Sequence, residues 1–154
     1  MNYKRPVSVL VVIHTPEGSV LLLERVAHAG YWQSVTGSQE AGESLFEVAR
    51  REVLEETGIT ADQGQWHDWR LTNRYLIYPQ WRHRYGPGVD HNLEHVFSLE
   101  LPQRVDVRLS PDEHRASCWL PWREAALACF SWSNRDAIRM LAEQKQLTNP
   151  KNIS

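Results

Sequence analysis

Apolar positions come in two rhythms along this chain, and each rhythm predicts an element. Pro6 to His14 (PVSVLVVIH) is β-branched and apolar on both faces, as in a strand covered on both sides. Thr15-Pro16-Glu17-Gly18 is turn chemistry leading into a second apolar run, Val20 to Leu23, so a hairpin is expected to open the domain. Ser44-Leu45-Phe46-Glu47 fits a capping box and good helix formers follow. Gly58 stands where a left-handed cap would close a helix of about residues 45 to 56. Trp66 to Tyr78 and Asn92 to Leu101 read as strands around the loop WRHRYGPG, with Phe97, Leu99 and Leu101 alternating toward one face. Val105 to Leu109 and Ser117 to Leu120 are shorter strand candidates. Arg123 to Cys129 reads as a short helix, and Ser133 with Asp136 is expected to cap a last helix reaching about Gln146. Strands before, between and after helices, without a repeat or linker, predict one α/β layered domain over 1–146 and a polar tail over 147–154.

Composition narrows the chemistry. The 154 residues are 42% hydrophobic and 23% charged, with eight glycines and eight prolines, which excludes collagen-like and disordered chains. A net charge of −2 offers no basic field for long nucleic acid, and the three cations of RHRYGPG supply too few phosphate contacts to change that. Cys118 and Cys129 lack zinc-site spacing and are too few for a disulfide framework. The longest apolar run, Val9 to Ile13, is far short of the roughly 20 residues needed to span a bilayer, and the N-terminus carries no apolar leader. The expectation is a soluble cytoplasmic protein without a membrane partner, monomeric or homodimeric.

Within the predicted helix, Glu52, Glu55 and Glu56 stand at i, i+3 and i+4 and share one stripe beside the apolar seam Phe46, Ala49, Val53. Like charges at that spacing destabilise a helix, and a divalent cation would relieve them; hard oxygen ligands favour magnesium, with manganese a substitute. Arg51 is placed to pair with Glu55 or Glu47. A bare ExxEE is also what a solvated acidic helix face looks like, so the surrounding residues decide. The segment 37–59, GSQEAGESLFEVARREVLEETGI, matches G-x5-E-x7-R-E-U-x-E-E-x-G-U at every fixed position, where U is a bulky aliphatic. A chance match is on the order of 10⁻⁸ from average residue frequencies.

On these residues the chain resembles the Nudix hydrolases, whose members cleave a nucleoside diphosphate linked to a further group. The resemblance implies an α/β/α sandwich with a mixed sheet. It also implies magnesium held by Glu52 and Glu56, with Glu55 a ligand or a proton acceptor and Arg51 supporting the catalytic group. A further glutamate from outside the motif is expected to join them. Glu113, before the SCWL strand, is the favoured candidate as ligand and base, and Glu94 the rival.

The chain departs from the common proline-glycine-glycine opening of the motif, with Thr36 and Ser38 around Gly37. WQSVTGS, together with YKRPVSVLVVI, LLLER, RHRYGPG and SWSNRDAI, is similar to the bacterial dihydroneopterin triphosphate pyrophosphatases of folate synthesis. That resemblance implies conversion of dihydroneopterin triphosphate and water to the monophosphate and pyrophosphate. Alternatives are a housecleaning nucleoside triphosphate pyrophosphatase and a nucleotide-binding module without turnover. A small pterin or nucleoside triphosphate would need cations for its phosphates and flat faces for its ring. Lys4, Arg25, Arg82 and Arg84 are the phosphate candidates. Tyr75, Tyr78, Trp81 and Trp132 are the ring candidates, and Thr36 belongs to the departed motif opening. His114 is a candidate to bind phosphate or hold Glu113; Ser131 and Asn134 are candidates to read ring edges.

Overall fold

The run that is apolar on both faces, β1 (Val7–His14), becomes the middle of a seven-stranded mixed sheet in the computed structural model, which describes residues 2–147. The other strands are β2 (Ser19–Arg25), β3 (Trp32–Gln33), β4 (Val35–Ser38), β5 (Gln65–Leu76), β6 (His91–Glu100) and β7 (His114–Pro121). Helix α1 (Leu45–Thr57) follows β4, while α2 (Trp122–Ala128) and α3 (Trp132–Gln144) close the chain. One core, built on Val9, Val11, Phe97 and Leu99, packs beneath Val48, Ala49 and Val53 of α1. The opposite face, with Leu10, Val12 and Val96, packs on Ala125, Ala126, Ala137 and Ile138 of the last two helices. Each of these buried aliphatic side chains larger than alanine contributes about 1.5 to 3 kcal/mol. The expected α/β/α sandwich is therefore built around one twice-covered sheet.

The opening hairpin is shorter than expected. β1 meets β2 only at His14 and Val20, beyond the turn in which Thr15 N donates to Ser19 O at 2.9 Å. Along Ser8 to Val11 that edge of β1 pairs with β4 instead, while its other edge runs parallel to β6 from Val7–Leu93 to His14–Glu100. β2 pairs with β3 and β7. The sheet thus forks between β1 and β2, and the short segment between β3 and β4 lies in the fork. There Asn134 Oδ1 accepts from Ser34 N at 2.7 Å, and Asn134 Nδ2 donates to Ser34 Oγ at 2.9 Å, pinning the start of α3 to the split.

Local signals place α1 well. Ser44 Oγ accepts from Glu47 N, and Gly58 takes φ 77°, a left-handed conformation that a side chain would strain. Three other expectations change. Val105 to Leu109 forms no strand; Val105, Val107 and Leu109 pack against the core as irregular chain, held partly by Arg108 N to Thr57 O and Trp119 Nε1 to Val105 O. The cap of α3 is Ser131, whose Oγ accepts from Asn134 N, so Ser133 lies inside the helix. That helix ends at Gln144 rather than about Gln146. Of the expected tail, only Leu147 falls within the described residues.

Candidate active site

Helix α1 lays its carboxylates against β4 and the start of β7. Arg51 organises them: Nε and Nη2 hold Glu43 at 2.7 and 2.9 Å, Nη1 holds Glu52 at 2.7 Å, and Nη2 also donates to Ser38 O at 3.1 Å. Glu55 is a looser partner at 3.4 Å and half exposed, and Glu47, the other expected partner, is not among the carboxylates that Arg51 bonds. The guanidinium is raised above its ordinary value, chiefly by its bond to Glu43. Gly37 explains the close packing of the helix on the strand, because a Cβ there would lie 2.0 Å from Glu52 Cδ.

Glu56 is the anomaly of this cluster. It is 1% exposed, and neither carboxylate oxygen has a hydrogen-bond partner. Burial pushes its carboxyl well above the ordinary value, with Glu52, Glu113 and Glu55 adding to the effect; burial also raises Glu52. A buried, unpaired carboxylate costs several kcal/mol, so this set of acids is chemically suited to a cation. Glu56, Glu113 and His114 offer ligand atoms within 4.8 Å of one another. Glu113 reaches this position because β7 pairs with β2 up to Arg25–His114 and Val26 N donates to Glu113 O at 2.9 Å.

His114 is 3% exposed, with Nε2 3.8 Å from Glu56 Oε1. Burial, followed by the Arg25 charge, holds it down to about 4, so the ring is neutral at pH 7. Arg25 Nη1 donates to Gln33 Oε1 at 3.5 Å, which turns the Gln33 amide nitrogen toward His114 Nε2 at 3.3 Å. With the amide in that orientation Nε2 accepts, and the ring proton falls to Nδ1, which is buried without a partner. His114 therefore belongs with the acidic cluster rather than with a separate phosphate pocket.

On the other side of Gln33 lies a cavity of about 370 Å³. It gathers Arg25, Thr36, Tyr75, Tyr78, Trp81, Ser131, Trp132 and Asn134 from the sequence-derived candidates, takes in Glu94, the rival to Glu113, and adds Gln33 and Phe130. Arg25 lies over the Trp81 ring at 4.9 Å. Several polar candidates already have structural work. Thr36 Oγ1 donates to Val9 O, Ser131 caps α3, Asn134 holds Ser34, and the Tyr75 hydroxyl accepts from Asn92. Lys4, Arg25 and Arg84 are close enough to repel one another. Burial and then the Arg84 charge lower both Lys4 and Arg25 below their ordinary values. Arg82 is not brought to this cavity; its Nε donates to Ile77 O, and it lines a separate hollow with Tyr3 and His83. Phe130, in the link between α2 and α3, carried no sequence signal, and Gln33 carried one only as part of WQSVTGS.

A NUDIX domain matches residues 4–141. The chain is 45% identical over 139 residues to the dihydroneopterin triphosphate diphosphatase of Escherichia coli, covering 88% of this chain and 91% of that protein. It is 35% identical over 142 residues to the Haemophilus influenzae protein of the same name, covering 90% and 89%. Its fold matches the structure of the E. coli dihydroneopterin triphosphate pyrophosphohydrolase with a TM-score of 0.86 and 43% identity, over 94% of this chain and 99% of that one. No helix among the described residues is long and apolar enough to cross a membrane.

Proposed function

This chain belongs to the Nudix hydrolase family, and from that premise we propose that it hydrolyses dihydroneopterin triphosphate to the monophosphate and pyrophosphate. The observation that carries the reading is the likeness to dihydroneopterin triphosphate diphosphatases over nearly the whole chain. The geometry agrees with it: an aromatic cavity and an acidic cluster share one wall, Arg25–Gln33–His114.

Glu52, Glu56 and Glu113 would hold a divalent cation, magnesium by the hardness of their oxygens, with manganese as a substitute. When bound, such a cation neutralises phosphate charge and lowers the pKa of water. The chain's own residues do the rest. Lys4, Arg25 and Arg84 bind the triphosphate, whose charge relieves their mutual repulsion. Glu55, half exposed and only loosely held by Arg51, can accept a proton from the attacking water, and Glu113 faces the same space. Arg51 is a positioning residue, fixing Glu43 and Glu52 rather than touching substrate. Tyr78, Trp81 and Trp132 offer faces to the ring.

A substrate panel tests the reading. With magnesium present, dihydroneopterin triphosphate should be consumed faster than ATP or GTP at equal concentration, releasing pyrophosphate. Equal or faster turnover of a purine triphosphate would replace this reading with the housecleaning one, and tight binding without turnover would make the chain a binding module.

A further inference from the structure

Glu94 has no part in the acidic cluster, yet it is a carboxylate buried to 4% exposure in the lining of the aromatic cavity. One of its oxygens, Oε1, is buried without any hydrogen-bond partner. Its place follows from register. Glu94 lies opposite Ser8 of β1 and Asn73 of β5, two residues before Val96 on the face that α2 and α3 cover. Past the end of that packed core, the same face opens into the cavity between Tyr75 and the first turn of α3. Ser133 and Asn73 stand beside the carboxylate and offset part of its desolvation. Burial raises the Glu94 carboxyl above its ordinary value, which a donor at Oε1 would offset; once ionised the carboxylate only accepts, so the partner missing at Oε1 is a donor.

We propose that Glu94 reads the substrate ring, accepting hydrogen bonds from an exocyclic amine and the adjacent ring N–H of a 2-amino-4-oxopyrimidine edge. This inference rests on the substrate reading above and deepens it. The edge in question is shared by pterins and guanine. Adenine presents an amine beside a bare ring nitrogen, so one of its lone pairs would meet the carboxylate; a ring without the amine leaves Oε1 unpaired. Arg25, Tyr78 and Trp81 cannot make this distinction, since charge and aromatic faces are blind to the edge.

The test compares kcat/KM for dihydroneopterin triphosphate, GTP, ITP and ATP, in the wild type and in Glu94→Gln. GTP and ITP differ only in the 2-amino group, so the wild type should prefer GTP by about 10- to 100-fold, the range for a hydrogen bond to a charged group. In Glu94→Gln that ratio should fall toward one, with dihydroneopterin triphosphate losing activity in parallel with GTP. Equal wild-type turnover of GTP and ITP, or an undiminished ratio in a folded variant, overturns the inference. Should Glu94→Gln fail to fold, Glu94→Asp keeps the charge but withdraws it by one methylene, and it must narrow the same ratio. The two readings fail separately. A wild type that prefers GTP to dihydroneopterin triphosphate sinks the substrate reading while a Glu94-dependent GTP to ITP ratio stands.

Discussion

The Gln33 side-chain nitrogen lies 3.3 Å from Nε2 of His114, and this contact joins the aromatic cavity to the acidic cluster. Gln33 lines the cavity and takes its orientation from Arg25, while His114 faces Glu56. A substrate spanning both sides would place its ring beyond Gln33 and its phosphates near the glutamates. The neutral histidine adds no positive charge to a cluster suited to a cation.

Metal binding should release protons. Burial raises Glu56 and Glu52, so without metal they retain protons above pH 4.5, where an ordinary glutamate has begun to lose them. A cation binds only the ionised form, so its affinity should rise with pH over the interval above 4.5 and level off once both carboxyls are ionised. Calorimetry over a pH series from 4.5 upward, in buffers of different ionisation enthalpy, reads the protons directly. Binding with no proton release in the wild type, or the same release in Glu56→Gln, contradicts the origin assigned here.

Activity should vanish in excess chelator and return with magnesium or manganese. Glu56→Gln keeps the volume of a fully buried side chain while removing its charge, and should lower kcat by at least roughly 10³-fold. Glu113→Gln should cost about 10² to 10⁴-fold in kcat, whereas Glu94→Gln, in the cavity lining and outside the cluster, should act mainly on ring selectivity. Steady-state kinetics on variants checked for folding by circular dichroism decide the order.

Gly37→Ala tests the packing beneath Glu52. A methyl group 2.0 Å from Glu52 Cδ must displace that carboxylate or separate α1 from β4. A shift of about 1 Å in a catalytic group can cost about 10²-fold, so kcat should fall by that order while the melting temperature changes less than for a core truncation. Near-normal kcat in the alanine variant would show that Glu52 can move without consequence.

Arg25→Ala and Tyr78→Ala should separate phosphate from ring. Arg25 sits on the wall shared by the two sides, and its loss should lower kcat/KM for all triphosphates together. Tyr78 offers only a ring face and hydroxyl at the cavity, so its loss should weaken triphosphates that carry a ring, by about 10-fold, and leave the binding of inorganic triphosphate unchanged. KM for dihydroneopterin triphosphate and ATP, set beside the inhibition constant of inorganic triphosphate, separates the two effects; an Arg25→Ala variant that leaves inorganic triphosphate binding unchanged would move Arg25 into ring recognition.

What the sequence determined by itself was local. Helix α1 is specified by Ser44 at one end and Gly58 at the other, and a rotation of 100° per residue puts Glu52, Glu55 and Glu56 on one stripe without reference to the rest of the fold. The spacing of the Gly37–Ile59 motif is likewise short-range, and it carried the family. Alternation placed Phe97, Leu99 and Leu101 on one core face. Tertiary structure decided what depends on partners. Val105 to Leu109 is apolar enough for a strand, but no neighbouring edge takes it up, and its side chains pack without a ladder. Ser131 and Ser133 were both chemically able to cap α3; Ser131 does so because the chain enters the helix there, with Asn134 anchored on Ser34. Glu94 could be read only as one carboxylate among several, since which face it shows depends on its register with Ser8 and Asn73. Gln33 joins the two halves of the site because the sheet forks beside it, and a fork arises from pairings among strands far apart in the chain, which no local window of sequence contains.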